Sequence, residues 1–149
     1  MAVSKALKRL LRIRELEEEQ QRLALEAATG TLRGWEQARD FALAQERVGH
    51  DLVRASVGSG EPSDRHVGLT ESRNARKKAS HLAMRVRAAE TEMMRLRQSF
   101  LEKRTERRQA ETLIEQEESQ EALESGRRSQ QTVDDWYGAR MGRERAKTS

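Results

Sequence analysis

The chain has 149 residues, of which 35% are hydrophobic, 36% charged and only 3% aromatic. Typical domains carry roughly 45–50% apolar and about 25% charged residues, so a broad globular core is excluded while a narrow seam between helices is not. The net charge of +4 admits an acidic partner, and the absence of cysteine removes disulfides and thiolate metal sites.

No apolar run approaches the roughly 18 residues that would span a bilayer. The opening MAVSKALKRLLRIRELEEEQ lacks the apolar core and cleavage site of a secretory signal, so Met1 onward is expected in the mature protein. Together with the missing cysteines this suits a cytoplasmic location. Charge falls into blocks. Residues 73–108 hold twelve Lys/Arg against four Glu, and residues 109–125 hold six Glu and no basic residue. Such blocks can be matched against each other.

In chain order, a first helix is expected over about 4–57, with Ser4 as N-cap. Leu7, Leu10, Ile13, Leu16, Gln20, Leu23 and Ala27 recur at three- and four-residue steps, alternating from Ile13 onward, the spacing of a coiled-coil seam. Trp35, Phe41, Val48 and Leu52 continue the stripe past Gly30 and Gly34. The chain's one proline, Pro62, stands among Gly58, Gly60 and Gly68, so the turn is expected over about 58–69, with Ser63 or Thr70 as N-cap of a second helix. That second helix is expected over about 70–141. Ala79, Leu82, Val86, Ala89, Met93, Leu96 and Phe100 form its unbroken seam, which weakens through EKRTERRQ and resumes at Ala110, Leu113 and Ile114. Residues 142–149 read as a flexible tail.

The fold class implied by this pattern is all-α: a long antiparallel two-helix coiled-coil hairpin with a C-terminal extension, in a single elongated domain over residues 1–149. A turn centred near Ser63 makes facing residue numbers add to about 126. That register sets Glu15, Glu17, Glu18 and Glu19 near Arg104, Arg107, Arg108 and Glu111. It sets Lys5, Lys8, Arg9 and Arg12 near Glu115, Glu117, Glu118 and Glu121, with Ile13 opposite Leu113 and Ile114. Residues beyond about 125 then have no partner in the first helix, which leaves Trp136 and Tyr137 to anchor another protein.

Signs of chemistry are few. His50, His66 and His81 have no metal-ligand spacing; His50 and His81 are placed to approach each other near the turn, and the expectation is solvated surface histidines rather than a zinc site. Gly58-Ser59-Gly60 lacks the lysine, strand and helix start of a phosphate loop. Carboxylates are plentiful, but a two-helix rod offers no concavity to shift their pKa for acid–base work. The expectation is a non-enzyme without metal or cofactor. The alternative function is a nucleic-acid-binding basic coiled coil, resting on RNARKK at 73–78 and KRTERR at 103–108. No aromatic residues interleave with those runs, so base stacking has no support.

The opening LKRLLRIRELEEEQQRLALEAA, the RxRE at residues 12–15 and the DDWYGAR at residues 134–140 resemble the stalk proteins of type III secretion systems, the family of flagellar FliJ and its virulence-system relatives YscO and SctO. The resemblance covers the whole chain in layout. It implies an antiparallel coiled coil like the shaft of a rotary ATPase, cytoplasmic and peripheral to the inner-membrane secretion apparatus, and monomeric in isolation. It implies that the paired termini enter the ring of the hexameric export ATPase and promote its activity, while the turn side reaches the cytoplasmic ring of the export gate. Some members also handle secretion chaperones. By this resemblance the ATPase-facing residues are Arg9, Arg12, Arg14, Arg127, Arg128 and Trp136, and the gate-facing ones are Arg73, Arg76 and Lys77.

Overall fold

The computed structural model describes residues 3–148 and contains two helices, α1 (Lys5–Ser59) and α2 (Pro62–Thr148). The all-α, two-helix architecture expected from the sequence is present, with the helices packed against each other. Boundaries differ. The expected twelve-residue break contracts to Gly60 and Glu61, and α2 continues seven residues past the expected end at 141, so the described part of the tail is helical. Two features close the turn. Gly60 has φ of 72°, and its N–H donates to the Ser56 carbonyl at 2.8 Å, an ending that favours glycine. Pro62 opens α2, where its missing N–H would have had no helical partner. Neither Ser63 nor Thr70 is therefore an N-cap. Ser4 is one: its Oγ accepts from the Ala6 N–H at 3.2 Å.

By packing the chain divides into two compact units, one of Glu18–Lys103 and one comprising the chain up to Glu17 together with Arg104 onward. In the Glu18–Lys103 unit, Ala42, Ala79 and Leu82 form the buried core, with Trp35 and Ala38 against it. Small residues dominate the approach to the turn. A Cβ built on Gly49 would sit 2.8 Å from the Ser72 nitrogen and 2.9 Å from the Gly68 oxygen, so the two backbones touch there. The buried hydroxyls of Ser56 and Ser72 donate to the Val53 and Leu69 carbonyls at 2.6 and 3.0 Å, which satisfies them inside a narrow seam.

The α2 seam in this unit follows the expected series. Gly68, Ser72, Ala75, Ala79, Leu82 and Val86 are buried, and Ala89, Met93, Leu96 and Phe100 are half-buried. On α1 the expected stripe holds at Trp35 and Leu52, which are half-buried, and is displaced elsewhere in the unit. Leu23, Phe41 and Val48 are exposed, as are Gln20 and Ala27, and the side facing α2 carries Gln21, Leu25, Ala28, Leu32, Trp35, Ala42, Gly49 and Ser56.

In the other unit, Val3 and Ala110 are buried and Leu7, Leu10, Leu11 and Ile114 are half-buried. Ile13 and Leu113, expected to face each other, are 51% and 47% exposed. Leu16 is exposed as well. Arg14 takes the inward position instead, donating to Glu106 at 3.0 Å and Glu17 at 3.1 Å.

The register explains the displacement. Arg14 meets Glu106, the Ser4 N–H donates to Glu117 at 3.3 Å, and in the Glu18–Lys103 unit Trp35 lies under Arg85. These pairs add to 120 or 121 rather than 126, as a turn centred on Gly60–Glu61 requires. Five residues of slip is more than one helical turn, enough to exchange which charges meet. Glu19 pairs with Arg22 on its own helix at 2.6 Å, and among its contacts Arg107 reaches Glu111 at 2.6 Å. Lys5, Lys8, Arg9 and Arg12 make no ion pair with the acidic block among the described residues.

Candidate partner-binding surfaces

In the unit that holds both termini, every described residue from 122 to 148 is exposed. The level of α1's first residues on α2 is fixed by the Ser4–Glu117 contact, so this stretch of α2 continues with nothing from α1 beside it. A bare helix of that length gains nothing from tertiary packing, which is the main source of helical stability in proteins. Some local support exists: Gln130 donates to Asp134 at 3.1 Å, Glu124 pairs with Arg128 at 3.6 Å, and Glu144 with Arg140 at 3.6 Å.

Trp136 sits on this stretch, half-exposed, edge-on to Tyr137 at 5.0 Å between centroids. Arg140 lies 5.4 Å over the Trp136 ring, one helical turn on. Val133 and Met141, also exposed, extend the same ridge at helical spacing. Arg140 closes the DDWYGAR motif but was not among the contact residues expected from the resemblance. The signal for it was its position four residues after Trp136.

The six residues assigned to one partner do not converge. Arg9 and Arg12 are exposed on α1, whereas Arg14 is half-buried between Glu17 and Glu106 and already spent on them. Arg9 stands level with Thr112, fifteen residues before Arg127, or about 22 Å at 1.5 Å per residue. Arg127 and Trp136 are nine residues apart, two and a half turns, and so point to opposite sides of α2.

In the Glu18–Lys103 unit, Arg73, Arg76 and Lys77 are exposed and line one shallow open hollow of about 390 Å³ with Ser80. The fourth cation of that run, Lys78, belongs to a different trough with Gln45, His66, Val67, Glu71 and Asn74. His50 pairs with Glu46 at 3.5 Å, and His81, exposed on α2, falls level with Asp40 rather than with His50. Two carboxylates lie below their usual range. Hydrogen bonds from Arg22 lower Glu19, and hydrogen bonds from Arg95 lower Glu92. Both are exposed i,i+3 pairs on one helix and belong to its surface.

Compared with known proteins, the chain matches no family model, no curated protein and no solved structure. No helix among the described residues is long and apolar enough to cross a membrane.

Proposed function

We propose that this chain is a non-enzymatic stalk and adaptor of a type III secretion or flagellar export apparatus, engaging the export ATPase ring through its terminal unit and the export gate through its turn side. The observation that carries the reading is the bare stretch of α2 over residues 122–148, exposed throughout and bearing the Trp136–Tyr137–Arg140 cluster. An exposed aromatic pair with a stacked arginine is the composition of a binding hot spot rather than of a solvated helix. The helical hairpin and the RxRE and DDWxxxR motifs agree with the stalk family. On this reading the protein works on the cytoplasmic side of the membrane and acts by contact alone, without cofactor. Secretion chaperones are further partners.

The test is ATP hydrolysis by a purified hexameric export ATPase, with and without the chain. Stimulation is expected, and Trp136→Ala or joint reversal of Arg127 and Arg128 to Glu should raise the chain concentration needed for it roughly thirtyfold, since hot-spot truncations cost about 2 kcal/mol or more. No stimulation by the intact chain would end the stalk reading. A salt-sensitive shift of duplex DNA or RNA in its place would transfer the case to the basic coiled coil.

A further inference from the structure

We infer that Arg73, Arg76 and Lys77 form a docking patch for a short acidic segment of a partner polypeptide. This names the chemistry of the surface that the stalk reading turns toward the gate, and rests on that reading only for which protein supplies the segment. Some arginines are matched to a carboxylate, among them Arg14, Arg22, Arg95, Arg107 and Arg140, whereas others, such as Arg33, Arg85, Arg97 and Arg127, are not paired with one among the described residues. Among the described residues Arg73, Arg76 and Lys77 make no such pair, although they crowd into five positions of one helix. Steps of three and four residues put them on one face, and Ser80 adds a hydroxyl to the same hollow. Like charges at this spacing weaken a helix by tenths of a kcal/mol each, so an anion placed there relieves repulsion as well as forming ion pairs.

The surroundings select the class of anion. From Arg73 to Ser80 is about 10 Å along the axis, room for two or three carboxylates. On the turn side the charge reverses, with Glu61, Asp64 and Glu71 against Arg65 alone. Beyond the patch, Lys78, Arg85 and Arg87 stand against Glu90, and Glu92 is bonded to Arg95. A nucleic-acid backbone would carry its phosphates onto the turn-side carboxylates, whereas a short peptide ends before reaching them. No aromatic residue lies in the hollow to stack on a base, and no apolar side chain lines it to enter a lipid surface. Arginine's fork pairs with a carboxylate through two parallel hydrogen bonds, which suits Arg73 and Arg76 to the Asp or Glu of a peptide.

The probe is a fluorescein-labelled peptide of about twelve residues alternating Glu with Ser, titrated with the full chain by anisotropy at low salt. Saturable binding is expected, weakening as salt is raised. Joint replacement of Arg73, Arg76 and Lys77 by Gln should weaken it at least tenfold. Replacing Arg143, Arg145 and Lys147 by Gln removes the same charge from exposed positions of the other unit and should leave it within twofold. Both variants should keep the parent's helical circular dichroism. Equal weakening by the two variants, or no binding by the intact chain, would refute the patch. So would tighter binding of a duplex DNA lost with the same three substitutions. The titration contains no ATPase, so a chain that binds the peptide yet fails to stimulate the enzyme would lose the stalk reading and keep the patch. The converse result would remove only the patch.

Discussion

Replacing Gly49 by alanine adds one methyl group to α1, and the structure fixes what it meets. The new carbon would lie 2.8 Å from the Ser72 nitrogen, 2.9 Å from the Gly68 oxygen and 3.0 Å from the Ser72 Cβ, where ordinary contact begins at 3.4 Å. Two of those three atoms are backbone, so no side chain can rotate away and α2 itself must retreat by roughly half an ångström. Overpacking of this kind costs about 1–3 kcal/mol, against about 1 kcal/mol recovered from alanine's better helix propensity. A net loss of up to about 2 kcal/mol is expected. Gly30 in the same helix supplies the control, because a Cβ there has nothing within 4 Å. Gly30→Ala should gain about 0.5–1 kcal/mol from backbone entropy alone. One chemical change thus has opposite signs nineteen residues apart. Urea unfolding followed by circular dichroism at 222 nm reads both. A Gly49→Ala midpoint equal to or above that of Gly30→Ala would refute the close backbone approach.

Register is tested by crosslinking. Cysteines at Ala42 and Ala79, which share the buried cluster, should join within one molecule, and cysteines at Ile13 and Leu113 should not; a denaturing gel with a short bifunctional maleimide separates the cases. Leu16→Gln and Leu23→Gln, at exposed positions, should shift stability by less than about 0.5 kcal/mol, whereas Leu82→Ala should cost about 2–4 kcal/mol in the same urea assay. For acid, the sign follows from lowered carboxylates: Glu19 and Glu92 contribute stability above the ordinary Glu pKa and lose it as pH falls through their folded-state values. Glu92→Gln should therefore flatten the helical-signal loss at acid pH only slightly, because the pair is exposed, and a steeper loss would count against the Arg95 bond.

The sequence made α2 legible because its apolar positions offer only one seam. Ala79, Leu82, Val86, Ala89, Met93, Leu96 and Phe100 face inward in the expected order. On α1 it was ambiguous, since two stripes interleave there. Ile13, Leu16, Gln20, Leu23 and Ala27 keep heptad spacing as well as Gln21, Leu25, Ala28 and Leu32 do, and the former are larger and more apolar at their start. Apolar spacing ranks stripes by hydrophobicity, and nothing in it records how closely the partner helix can approach. The charge blocks misled for a related reason. Exposed ion pairs contribute so little that several registers are nearly equal in charge, and pairs such as Glu19–Arg22 and Glu92–Arg95 form within a single helix. Of the residues proposed to bind partners, the exposure of Trp136, Arg73, Arg76 and Lys77 could be anticipated from the sequence, while Arg14's engagement with Glu106 could not.

The sequence alone therefore determined a helical chain with one turn at its proline and a terminal stretch too long for its partner. Those properties come from propensity, capping and length, each set by neighbours within a few residues. The tertiary structure decided the two-residue turn, the register near 121 and the side that α1 buries. They depend on Gly49 and Gly68 letting two backbones touch, a fit between residues nineteen apart in sequence that no local pattern on either helix records.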